Sequence, residues 1–188
     1  MSEDRRTSRN PREPAKDGPG GTERWSDYLD WVREDIIEGV LALPLPQRTA
    51  SLLPSGWSPV ELLNHLLHME QRWFVWGFLG EQVPDPWGDW NVDDPSVDPG
   101  PRGVTPAWQV ADGVMAEEIA TSLREMGRRT RETLHAHGLG ERARVGGRFS
   151  EAPPTLEWIC FHVLAEYARH AGHLDVVREL STAPARHE

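Results

Sequence analysis

Apolar positions along the chain recur at helical spacing in four stretches. In residues 23–43, Trp25, Tyr28, Leu29, Val32, Ile36, Val40 and Leu41 fall near i, i+3, i+4 and i+7, the signature of one buried helix face. Prolines 44 and 46 stop this helix, because each lacks an amide hydrogen and clashes with the preceding turn. A second helix is expected over residues 58–79, ending at Gly80. Its start reads as a capping box with a proline: Ser58 as N-cap, Pro59 at the first helical position and Glu61 three residues after the cap. Leu62, Leu66, Met69, Trp73 and Trp76 line one face and Leu63, Leu67 and Phe74 another, so this helix is expected to lie centrally. A third helix is expected from Thr105-Pro106 to His135, with Gly138 as its stop and Gly113 and Gly127 as weak points. The fourth runs from Pro154 to about Leu180. Residues 81–104, rich in Asp, Pro and Trp, and residues 143–153 read as loops.

Four long helices with few alternating apolar runs predict an all-α fold, a four-helix bundle. Residues 1–22 hold no large apolar residue after Met1, cannot offset their ordering entropy and are expected to form a disordered tail. The bundle then spans residues 23–180, with a flexible C-terminus over 181–188. A chain of 188 residues suffices for one such domain.

Charge and cysteine content narrow the function classes. A formal charge of −10 disfavours nucleic acid and anionic membrane as partners, since both need a basic footprint. No apolar stretch spans a bilayer and no secretory leader is evident, so a cytoplasmic protein is expected. The single cysteine, Cys160, excludes an internal disulfide and a multi-cysteine zinc site. Its apolar helical setting predicts a small buried hydrophobe.

The candidate chemistry lies on the second and fourth helices. Glu166 and His170 stand four residues apart, so they project side by side from one face. Ile159, Val163 and Val177 lie within about 60° of Glu166 on a wheel advancing roughly 100° per residue. A carboxylate on so apolar a face needs a partner, and a divalent cation suits a carboxylate beside an imidazole. His65, among Leu62, Met69 and Trp76, supplies a third candidate ligand from the second helix. Two imidazoles and a carboxylate leave open positions for water or substrate. His68 is expected at the rim or behind a ligand, with a substitute ligand role held in reserve, and His162 and His173 could orient a ligand or line the cavity. Asp175 and Arg178 read as solvating the helix end. The segment DPWGDWNVDDPSVD (85–98) carries five acidic residues, but it lacks the sixth-position glycine and terminal glutamate of an EF-hand. It reads as a solvated loop anchored by Trp87 and Trp90 that can wall the pocket.

GWSPVELLNHLLHMEQRWFVWGFLGE (56–81) followed by HVLAEYARHAGHLDVVREL (162–180) resembles the DinB-like superfamily of bacterial four-helix metalloproteins. The likeness is closest to the actinobacterial branch of mycothiol-dependent transferases and covers residues 23–180. It implies that His65 and His170 are metal ligands. Many DinB-like proteins have a histidine where this chain has Glu166, an arrangement similar to that of mycothiol-dependent maleylpyruvate isomerase. Those isomerases carry a further C-terminal domain with no counterpart after the fourth helix, so isomerisation is not expected to be inherited. The resemblance implies zinc first, with nickel, iron or manganese as alternatives, and mycothiol as co-substrate. The implied activity is transfer of a low-molecular-weight thiol to a small electrophile. A metal-dependent hydrolase and a non-catalytic, stress-linked metal-binding bundle are the competing readings. Two-fold pairing through apolar bundle surface is compatible with each.

Overall fold

The capping box forms as expected: Ser58 Oγ accepts the Glu61 amide and the Glu61 carboxylate accepts the Ser58 amide at 2.6 Å. In the computed structural model, which describes residues 12–91 and 107–182, this box starts the third of five α-helices in chain order. They are α1 (Gly21–Leu41), the short α2 (Leu45–Arg48), α3 (Pro59–Glu70), α4 (Ala116–Ala136) and α5 (Leu156–Thr182). A π-helix, Gln71–Phe78, continues α3 without a break. Two short strands, β1 (Trp90–Asn91) and β2 (Ala107–Trp108), pair antiparallel with Trp90 opposite Trp108. The four long helices make the bundle, α1 and α3 each packing on α4 and α5. No described helix is long and apolar enough to cross a membrane.

Leu62, Leu63, Leu66 and Phe74 are fully buried, which makes α3 the central helix. A buried polar hub lies within this core. Glu70 is 0% exposed and its carboxylate accepts from Arg33 Nε at 3.0 Å and Nη2 at 2.8 Å, from the Tyr167 hydroxyl at 2.5 Å and from the Thr130 hydroxyl. Arg33 lies on α1, Thr130 on α4 and Tyr167 on α5, so one carboxylate ties all four long helices together. Burial, reinforced by the Glu70 charge, pushes the Tyr167 phenol well above its usual range and keeps it a donor. Gly127 makes room for this hub: a Cβ there would stand 2.3 Å from Arg33 Nη1.

Two elements differ from expectation. The third helix begins at Ala116, not near Thr105-Pro106, which lie outside the described residues. Ala107 and Trp108 are extended in β2, and a turn at Gly113 (φ +80°) precedes the helix. Helical periodicity upstream of Gly113 comes from residues that pack as a strand. At the N-terminus, residues 12–20, expected to be disordered, lie along α1. There Arg24 donates to the carbonyls of Ala15, Gly18 and Pro19, and the Tyr28 hydroxyl donates to Glu13. Residues 1–11 and 183–188 lie outside the described residues.

Glu70→Ala removes the buried counter-charge of the Arg33 guanidinium, leaving it only the part-exposed Asp30, and is expected to cost about 3–5 kcal/mol. Tyr167→Phe removes one charge-assisted hydrogen bond and is expected to cost about 2 kcal/mol. Urea denaturation followed by circular dichroism measures both, and a Glu70→Ala protein as stable as wild type would show that the hub is not a structural constraint.

Candidate functional site

α3 brings His65 into the core and α5 brings Glu166 and His170 to meet it. One ligand atom from each lies within 4.8 Å of the others. His65 and His170 are both 6% exposed, and their rings meet edge-on with centroids 5.0 Å apart. Glu166 is partly exposed, and its Oε2 stands 3.5 Å from His170 Nε2. Among the described residues no further His, Cys, Asp or Glu joins this group.

His65 is held from two sides. Its Nδ1 faces Asp89 Oδ2 at 2.8 Å, and Trp108 of β2 stacks on the ring at 4.1 Å and 13°. Asp89 also accepts from Arg72 Nη1 at 2.5 Å and Nη2 at 3.0 Å. Arg72, the second residue of the π-helix, donates further to the Pro86 carbonyl and lies 4.6 Å over Trp87. Burial would raise the Asp89 pKa, but the hydrogen bonds from His65 and Arg72 outweigh it and hold the carboxyl below its usual range. Asp89 is therefore an ionised acceptor, so His65 carries its proton on Nδ1 and turns the Nε2 lone pair to the site.

The β1–β2 ladder makes this arrangement geometric. It places Trp108 over His65 and anchors the Asp89 backbone, whose carbonyl accepts the Gln109 amide at 2.9 Å. The reading of residues 85–98 as a solvated loop is corrected here for its inner part. Asp89 is 0% exposed and spent on His65 and Arg72, while Asp93, Asp94 and Asp98 lie outside the described residues. Trp87 and Trp90 do pack inward, against Arg72 and His65 respectively.

The remaining histidines separate. His68 Nδ1 donates to the Asn64 carbonyl, 3.0 Å away, and the ring lies under Gly88 of the loop, at the rim and outside the group. His173 is exposed, its ring 5.7 Å from that of His170 and 6.3 Å from Trp57. His162 stacks on Trp158 and touches Trp73 at 4.1 Å, one turn along α5 from Glu166. Asp175 and Arg178 pair on the exposed end of α5 at 3.5 Å.

Titration follows from these surroundings. Burial holds His65 below the usual imidazole range despite Asp89, and burial with the neighbouring His170 lowers His173. His170, followed by Arg169, holds the Glu166 carboxyl below its usual range. At neutral pH His65 is thus a neutral donor and Glu166 an anion. These donors suit a borderline divalent cation. The His170 Nδ1 is buried and without a hydrogen-bond partner, so that ring lacks the orienting contact that Asp89 gives His65.

A helical bundle whose candidate ligands come from its second and last long helices has the form expected of DinB-like proteins. The family model for mycothiol-S-transferases matches residues 25–183, and the chain belongs to that family. Comparisons with curated proteins and with solved structures return no match.

Asp89→Ala strands the buried Arg72 and is expected to destabilise the fold by about 3–5 kcal/mol, read from the urea midpoint. A pH effect follows from the lowered His65 pKa. Its folded value lies below the unfolded one, so the unfolded chain binds protons first as pH falls, and stability is lost on acidification through about 6.5. Glu166 adds a loss of the same sign only at lower pH. Urea midpoints in chelator at pH 7.5 and at pH 5.5 test this, and a midpoint independent of pH would contradict it.

Proposed function

We propose that this protein is a metal-dependent transferase that moves a low-molecular-weight thiol, mycothiol, onto a small electrophile, with His65, Glu166 and His170 as the metal ligands. The observation that carries the reading is the convergence of these three side chains within 4.8 Å in a chain of the mycothiol-S-transferase family. Zinc fits the donor set best, and nickel, iron and manganese are compatible with it. A divalent cation held there would act as a Lewis acid that lowers the pKa of a thiol and keeps it as thiolate.

The chain's own residues prepare that chemistry. Asp89 and Trp108 fix the His65 ring, and the lowered pKa values of His65 and Glu166 keep both in ligand form at neutral pH. Trp90 and Trp108 pack against the paired histidines, and Trp57 lies against Trp108. Cys160 offers no competing nucleophile. It is buried, and burial together with Glu157 pushes its thiol up to about 12. In the transfer a sulfur–carbon bond forms and the bond from that carbon to its leaving group breaks. The leaving group departs with the bonding pair, and the thiol proton passes to solvent.

A non-catalytic site that only fastens α3 to α5 would be expected to close its coordination with a fourth protein ligand. Neither His68 nor His173 joins the group, which favours an open position for a thiol.

His65→Ala, Glu166→Ala and His170→Ala are each expected to lose stoichiometric metal and at least about 100-fold in mycothiol-dependent conjugation of monochlorobimane, in the range seen when metal-site support is removed. Metal analysis and fluorescence of the bimane adduct measure the two effects. Full metal content in His170→Ala, or conjugation indifferent to chelation, would overturn the assignment.

A further inference from the structure

Most arginines of the bundle are spent on carboxylates, as Arg33, Arg72, Arg124 and Arg131 illustrate. Arg148 is not. Its guanidinium lies 4.2 Å over Trp73, 5.6 Å over Trp87 and 6.0 Å over Trp76, and no described side chain or carbonyl accepts from it. Its Nη1 is buried without a hydrogen-bond partner. The charged neighbour that acts on it is Arg72, of like sign, and burial with this repulsion lowers the guanidinium to about 10. Arg72 cannot serve in its place, since Asp89 neutralises it.

The loop that carries Arg148 is clamped to the π-helix. The Arg148 amide donates to the Trp76 carbonyl at 3.1 Å, and the Arg144 amide to the Phe78 carbonyl at 3.0 Å. Gly147 permits this approach, for a Cβ there would stand 2.2 Å from the Trp76 carbonyl oxygen. The cation is thus positioned by backbone, with donors unspent in an aromatic surround. That is the arrangement in which a planar guanidinium binds an anionic oxygen group most strongly.

Its place relative to the ligand group is set by α5. Trp158, His162, Glu166 and His170 follow at four-residue steps along one face. The Trp73 ring beneath Arg148 touches both Trp158 and His162. Those two residues lie about 12 Å and about 6 Å along the helix axis from Glu166. Trp158 remains 50% exposed and with His162 makes an aromatic ledge on the α5 face that leads to the ligands. We propose that Arg148 binds the carboxylate of the electrophile, whose flat unsaturated or aryl skeleton lies along Trp158 and His162 towards the metal ligands. This rests on the transferase reading only for the word electrophile; the anion site itself does not.

The test pairs 4-chloro-3-nitrobenzoate with its methyl ester, measured first by calorimetric binding to the full-length protein and then as acceptors of mycothiol. Wild type is expected to bind the acid at least about tenfold more tightly than the ester, the scale of one charge-assisted bidentate contact. Arg148→Gln is expected to erase that preference, through the acid alone, with metal content unchanged. Arg148→Lys, which keeps the charge, is expected to retain part of it and decides the matter if the glutamine variant fails to fold. In turnover the loss is expected in KM for the acid, with monochlorobimane conjugation within about twofold of wild type. Equal affinity of wild type for acid and ester, or an unchanged preference in Arg148→Gln, would overturn the proposal. Discrimination in binding without thiol-dependent turnover of any acceptor would leave the anion site standing and remove the transferase reading.

Discussion

The arrangement of this molecule depends on one buried carboxylate. Glu70 receives donors from α1, α4 and α5 while itself belonging to α3, so the four long helices cannot slide without breaking a charge-assisted bond. The consequence reaches the site directly. Tyr167, the α5 donor, sits between Glu166 and His170, and Glu70 stands five residues after His65. The contact that locks α3 to α5 therefore also sets how far apart the candidate ligands lie. A coordination group tolerates errors of only about 0.5 Å, and apolar packing alone permits rotamer exchange and small helix shifts. A directional hub removes that freedom.

A second buried ion pair refines what the first sets. Arg72 follows Glu70 by two residues, where the chain passes into the π-helix, and turns to Asp89 in place of the bundle axis. The wider turn is marked by the Leu79 amide bonding back to the Phe74 carbonyl at 2.9 Å, five residues earlier. Single π turns often mark functional positions, because they re-aim side chains within an otherwise regular helix. Here the re-aimed guanidinium holds Asp89 ionised, and Asp89 holds one tautomer of His65. Neither ion pair is expected to add much net stability over apolar replacements. Their value lies in specifying one geometry.

Much of this was legible in the residues alone, and the failures share a cause. The helix patterns, the Ser58–Glu61 box and the proximity of His65, Glu166 and His170 follow from periodicity, which reports which face is buried. Periodicity says nothing about which buried polar groups meet. Glu70 falls on the Leu63, Leu67 and Phe74 face, and Arg33 stands four residues from both Leu29 and Ile37. A charge at an apolar position demands a partner, and these two could have been matched on that ground. Asp89 gave a weaker signal, an acid between Trp87 and Trp90 in a loop dense with other acids. Arg72, in an apolar run with no anion three or four residues away on its helix, was the better clue. The false start of the third helix arose because Ala107 and Trp108 pair with β1 and Trp108 covers His65, which a helical wheel cannot represent. His162, expected to orient a ligand or line the cavity, lies one turn from Glu166 and packs with Trp73 and Trp158.

Glu166 gives the two sites a common logic. With a divalent cation held as proposed, a carboxylate in place of a third imidazole would lower the formal charge of the centre by one, and a thiolate there would lower it by one more, leaving none. Such a centre suits the storage of a thiolate, since the anion is fully compensated. It gives little attraction to a second anion, and the whole molecule, at −10, repels one. An acidic protein that conjugates a neutral electrophile needs nothing further. One that conjugates a carboxylate must provide a separate cation, desolvated enough to act over the general field yet not neutralised by the many acids around it. Arg148 meets both conditions, shielded by three tryptophans and without an acidic partner among the described residues, while Arg72 beside it is already consumed in holding His65. The division of labour between the two arginines follows from the same economy that places Glu166 at the centre.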